Sequence, residues 1–133
     1  MINNSYLNDA FKKILSPEDE YGYYFYSMSF ASAGEYLLYG GSAMLLNKHL
    51  IVCFTKKRII LAEVNPITGD LTENVSDISM KNVTEVIVKK GILKTKIKLL
   101  FPNGSKLEFK PNNICVGLSN HKKNLLKLVE LYK

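Results

Sequence analysis

One segment constrains the fold more than any other: the strict alternation Lys94-Thr95-Lys96-Ile97-Lys98-Leu99-Leu100-Phe101. Successive side chains of an extended chain point to opposite faces. Lys94, Lys96 and Lys98 therefore share one face, and Thr95, Ile97, Leu99 and Phe101 share the other. Pro102-Asn103-Gly104 follows, and Lys106-Leu107-Glu108-Phe109-Lys110 repeats the pattern. Asn-Gly between two alternating runs signals a β-hairpin. A lone hairpin is marginal in water and must lie on a larger core, so the rest of the chain should supply further strands.

It does. Lys48–Thr55 and Arg58–Val64 read as strands joined by a tight Lys56-Lys57 turn. Leu71–Val75 reads as a short strand, residues 78–82 as a bend, and Val83–Lys89 as a strand turned by Lys90-Gly91. The aromatic run from Tyr21 to Phe30 suits a strand. Its tyrosines fit a core strand with amphipathic rings at the rim better than a stacking platform for bases or sugars. Gly40-Gly41, in the small-residue stretch 31–47, reads as a turn and lacks the phosphate-cradling pattern. Two helices flank the strands. Residues 5–15 carry an apolar stripe, with Ser5 as the expected cap and Ser16-Pro17 as the stop. Residues 119–132 carry Leu118, Leu125, Leu128, Val129 and Tyr132 in one stripe, widened by Leu126 and Leu131, with Ser119 as the expected cap.

The 133 residues, 47% hydrophobic and 23% charged, can bury about two-thirds of the unfolded chain's surface. That excludes a disordered chain. No run approaches the roughly 18–20 apolar residues of a membrane span. Met1-Ile2-Asn3-Asn4 lacks the basic and apolar regions of a signal peptide, so a cytoplasmic protein is expected, with the inner membrane face as a peripheral location. Charge is unevenly placed: residues 1–80 hold six basic and nine acidic side chains, whereas residues 81–133 hold twelve lysines and three glutamates. A basic half suits an anionic partner or a solvated lysine face.

Chemistry is sparse. His49 and His121 are not spaced with any nucleophile, and each reads as structural or surface. Glu18-Asp19-Glu20 reads as a solvated acidic turn. Glu85 and Glu108 read as cross-strand partners of the Lys94, Lys96 and Lys98 row. Cys53 reads as a small buried hydrophobe. Cys53 and Cys115 form no C-x-x-C and, with two histidines, no metal spacing. No catalytic residue, metal or cofactor is therefore expected.

The block from Leu50 to Phe109 resembles the bacterial pleckstrin-homology-like families of the small YokE-like type, related in shape to GRAM and PH domains. Three pieces carry the resemblance. The hairpin Ile51-Val52-Cys53-Phe54-Thr55-Lys56-Lys57-Arg58-Ile59-Ile60 is similar to the family's apolar-T-x-x-R-apolar hairpin. The segment from Ile78 to Val88 is similar to a bend feeding a strand, and the Gly91 turn leads to the Lys94–Lys110 hairpin and a terminal helix. The resemblance implies a PH-like barrel over residues 1–133: two orthogonally packed antiparallel sheets of about seven strands within 21–110. A short N-terminal helix within 1–16 precedes them, and a helix over 118–132 caps them. It implies a non-catalytic binding or scaffold module. The expected partner is a protein or peptide, or a second copy of the chain, taken along a sheet edge or beside the terminal helix. The alternative is an anionic membrane surface, met by Lys56, Lys57, Arg58, Lys89, Lys90, Lys94, Lys96, Lys98, Lys106 and Lys110. The chain departs from the eukaryotic phosphoinositide signature, because apolar Ile59-Ile60-Leu61-Ala62 follows Lys56-Lys57-Arg58 with no second basic set. Nucleic acid is disfavoured, because the aromatics face away from the lysines.

Overall fold

The computed structural model describes residues 2–30 and 48–133. The expected Gly40-Gly41 turn lies outside these residues. In chain order the elements are α1 (Asn4–Ile14), a 3-10 turn (Pro17–Asp19), β1 (Tyr23–Phe30), β2 (His49–Phe54), β3 (Arg58–Val64) and β4 (Leu71–Ser79). A second 3-10 turn (Met80–Asn82) leads to β5 (Glu85–Lys90), β6 (Thr95–Leu100), β7 (Lys106–Phe109) and α2 (Ser119–Leu131). The strand order is β4-β3-β2-β1-β7-β6-β5, with every pair antiparallel. β1 serves two sheets. Its length from Tyr23 to Met28 pairs with β2, and its end, Ser29 and Phe30, pairs with β7.

Both sheets and α2 contribute to one core. Phe25, Phe54, Ile59, Ile97, Leu99, Phe109 and Leu128 all lie in it with no exposed surface. The face of β6 and β7 that the alternation assigns inward is the buried one. The turn between them closes on Gly104, whose φ of +87° favours glycine.

β2 and β3 behave differently. Their residues are buried almost without a break, because α1 covers the outer face of their sheet. Leu7 and Phe11 pack there with Tyr24, Ile51, Cys53, Ile60 and Ala62. Burial on both faces explains why these strands read as continuous apolar runs. Tyr24 stacks on Phe11 at 5.8 Å, and its hydroxyl donates to Asn8 and accepts from Asn120. Burial pushes the Cys53 thiol up to about 12, and both cysteines are free.

Several expectations are corrected. Asn3, not Ser5, caps α1, its side chain accepting from the Tyr6 N–H at 2.8 Å. Ser119 is the first helical residue of α2 and not its cap; its hydroxyl accepts from Asn4 instead. β4 runs to Ser79, so Ile78 is a strand residue with its side chain in the core. Leu126 and Leu131 do not widen the buried stripe of α2 but are exposed. The largest correction is Asp19, which is 2% exposed and not part of a solvated turn. The Arg58 guanidinium grips it with two bonds of 3.1 Å and also donates to the Ile14 carbonyl. The Ser16 N–H donates to Asp19 at 2.9 Å, and the Thr55 hydroxyl lies 3.0 Å away. Three contiguous acids look hydrated in sequence because nothing local reveals a cation arriving from another strand.

His121 is buried and neutral. Its Nδ1 accepts from the Tyr26 N–H at 3.0 Å, so Nε2 carries the proton and faces the Asn112 carbonyl at 2.6 Å. Burial holds its pKa below 6.5, although the Asn112 carbonyl opposes this. A depressed histidine pKa means that the unfolded chain takes up the proton first. Stability should thus be full above pH 6.5 and decline as pH falls through the folded-state value. Urea midpoints at pH 7.5 and 5.5 test this, and the decline should shrink in His121→Phe. That variant should also lose about 2 kcal/mol at pH 7.5, because the buried Tyr26 amide loses its acceptor.

Candidate functional site

The sheet of β5, β6 and β7 presents an outer face whose register is explicit. Lys89 stands opposite Lys96; Ile87, Lys98 and Glu108 form the next row; Glu85, Leu100 and Lys106 form the third. The acids are unevenly used. Glu108 draws Lys98, Lys106 and Lys110 to 3.6, 3.6 and 3.8 Å. Burial raises the Glu108 pKa, and the surrounding lysines outweigh it and hold the carboxyl below its ordinary value. Glu85 stands opposite Leu100 rather than a lysine, which corrects half of the expected ion-pair pattern. Lys90 also leaves the face: it pairs in register with Thr95, whose side chain is buried. Period two sends consecutive residues to opposite sides, so Lys89 and Lys90 cannot share one surface.

The first hairpin holds the remaining candidate cations. Lys56 pairs with Glu20 at 2.9 Å, and Lys57 is exposed. Arg58 is committed inward, to Asp19 at 3.1 Å and Asp77 at 2.9 Å. Thr55 closes the turn, its amide donating to the Arg58 carbonyl and its hydroxyl accepting from the Arg58 N–H. The T-x-x-R motif is thus a hairpin lock and an ion-pair anchor.

A second surface joins two elements distant in sequence. β5 ends the strand order, and α2 lies alongside it. The groove between them is lined by Lys90, Thr95, Asn113, Lys122, Leu126 and Val129, among others, and no acidic residue lines it among the described residues. Among the described residues, no strand pairs with the outer edge of β5, and its amides face in a defined way. The Gly91 N–H donates to the Lys94 carbonyl, and hydrogen-bonded pairs alternate along an antiparallel ladder. The amides of Glu85, Ile87 and Lys89 therefore face β6, and those of Val86, Val88 and Lys90 face away. Sequence reading placed Lys90 on the lysine face, Val129 in the apolar stripe of the last helix and Lys122 on that helix's wet face, and gave Asn113 no role. The family resemblance pointed to a sheet edge or a groove beside the terminal helix without naming the residues that line it.

Among the described residues, no three His, Cys, Asp or Glu side chains cluster to hold a metal. His121 is locked in the core, and His49 is held by the Tyr26 hydroxyl at 2.7 Å. Among the described residues, no helix is long and apolar enough to cross a membrane.

A sheet of four strands, β1 to β4, joined through the end of β1 to a sheet of three, β5 to β7, and backed by a C-terminal helix, defines a PH-like domain, a class of generally non-catalytic binding modules. Residues 15–131 match the bacterial PH domain family, and the chain belongs to it. No curated protein and no solved structure matches the chain.

Proposed function

We propose that the chain is a docking module that takes an extended, acidic peptide segment of a partner protein along the β5 edge. The observation that carries this reading is the outward amide row of Val86, Val88 and Lys90, which no strand among the described residues pairs and which reaches the groove against α2 at Lys90. Strand addition uses main-chain hydrogen bonds for affinity and side-chain pockets for specificity. Leu126 and Val129 offer an apolar wall, and Lys90 and Lys122 give the groove a positive rim that favours acidic residues.

Peptides selected from a random library on the immobilised chain should be acidic with alternating apolar anchors. Val88→Pro removes one outward donor and leaves the β5–β6 ladder intact, a substitution that edge strands tolerate. It should weaken the selected peptides at least about tenfold, equivalent to about 1.4 kcal/mol, and so should Leu126→Asp. Calorimetry checks both. Unchanged affinity in both variants would contradict the reading.

A second reading, contact with an anionic surface, is favoured by the Lys89–Lys96 pair. Like charges directly opposite one another across a sheet are destabilising, and an anion would relieve them.

A further inference from the structure

We propose that the end of the β5–β7 sheet is a membrane-docking tip, in which two tied loops insert aliphatic side chains into a bilayer containing anionic lipid. The loops are residues 91–94, between β5 and β6, and residues 112–117, between β7 and α2. The inference deepens the anionic-surface reading by moving the contact from the sheet face to its end, and the two can fail separately.

The first observation is exposure. Ile92 is 96% exposed, Leu93 78%, Ile114 65% and Val116 97%. Single exposed aliphatics are ordinary on a protein surface, whereas a contiguous group marks an interaction site. These four lie on loops tied together. The Asn113 amide donates to the Leu93 carbonyl at 2.9 Å, and its side chain donates to the carbonyls of Gly91 and Ile92 at 3.0 and 3.1 Å. The Thr95 hydroxyl donates to the Asn113 side chain at 2.7 Å. A Cβ on Gly91 would stand 2.8 Å from the Lys94 carbonyl oxygen, so only glycine fits that tight turn. The aliphatic side chains are thus displayed from a braced scaffold.

The second observation is the gradient of charge. The register row nearest the tip is Lys89 with Lys96, and Lys94 lies beyond it, bridged to Asn112. Lys90 and Lys122 flank the tip on the groove side. Glu108 stands one row back and Glu85 two. The tip is apolar, its collar is cationic, and the acids lie behind. A second copy of the chain would set one collar against another, whereas anionic headgroups complement it. Apolar insertion combined with basic contact is the physics of interfacial binding.

The chain contains no tryptophan, so one introduced residue reports on insertion. Leu93→Trp should show a blue-shifted emission with vesicles of phosphatidylcholine and phosphatidylglycerol in equal parts, and quenching when the lipids are brominated. Pro102→Trp, at the opposite end of β6, should show neither. In co-sedimentation with the same vesicles the unaltered chain should pellet, more at low salt than at physiological salt. It should stay soluble with phosphatidylcholine alone. Leu93→Ser combined with Val116→Ser should lower that partitioning at least about tenfold. Both positions are solvent-facing, and unchanged thermal melting would show that the fold is kept. Binding kept in the serine variant but lost in Lys89→Glu with Lys96→Glu would overturn the tip and leave the sheet-face reading standing. No sedimentation at low salt would overturn both.

Discussion

Phe25→Ala is expected to cost about 4 kcal/mol, a large share of the roughly 5–15 kcal/mol that keeps a typical domain folded. Phe25 has no exposed surface. Its ring packs against Phe54 at 6.1 Å, edge-on to Phe109 at 6.2 Å, and edge-on to His121 at 6.4 Å. Those three neighbours come from β2, β7 and α2. The side chain therefore sits where the two sheets and the terminal helix meet, on the one strand they share. Truncation leaves a cavity bounded on three sides by elements that cannot collapse together without breaking β1 pairing. Urea denaturation should show the loss as a lowered midpoint. Val116→Ala serves as contrast: Val116 is 97% exposed, and its midpoint should barely move.

Asp19→Ala is expected to cost about 3 kcal/mol. The loss is less of a single attraction than of compensation. Arg58, with 27% of its side chain exposed, would keep the Ile14 carbonyl and a single carboxylate, that of Asp77. The Ser16 amide would lose its acceptor, and the 3-10 turn would lose its side-chain bonds to Thr55 and Arg58 of the first hairpin, keeping the backbone bond from the Lys56 N–H. Asp19→Ala combined with Arg58→Leu should recover part of the deficit, because the stranded charge is gone. The same ion pair sets an acid limit. Arg58 hydrogen bonding holds the Asp19 carboxyl at about 2 against its ordinary 3.8, although burial opposes it. A depressed carboxyl stabilises the fold above its unfolded value and loses that contribution as pH falls through the folded value. About 2 kcal/mol should disappear between roughly pH 4 and pH 2. Acid titration of the Asp19→Ala variant should lack that step.

What the sequence reveals depends on where the deciding contacts lie. The β6–β7 hairpin is legible because one face is wet, the other is dry, and Asn103-Gly104 fits the turn. β2 and β3 are legible as strands, yet their unbroken apolar runs say nothing of α1 on the outer face. Asp19 is illegible because its partner lies 39 positions away and its neighbours are ordinary solvated acids. Lys90 is misplaced by any argument that treats a run of lysines as a patch; only the register with Thr95 shows which side it takes. The β5–α2 groove is illegible for the same reason as Asp19. Its edge comes from one strand and its wall from a helix that begins 29 positions later, and no local pattern joins Lys90 to Leu126.

The most direct test of the docking reading is an NMR titration of the isotope-labelled chain with a selected acidic peptide. Amide shifts and slowed hydrogen exchange should appear at Val86, Val88 and Lys90, with accompanying shifts at Leu126 and Val129, while Glu85, Ile87 and Lys89 keep the protection they already have. Shifts that bypass β5 and α2 and gather elsewhere would contradict the account.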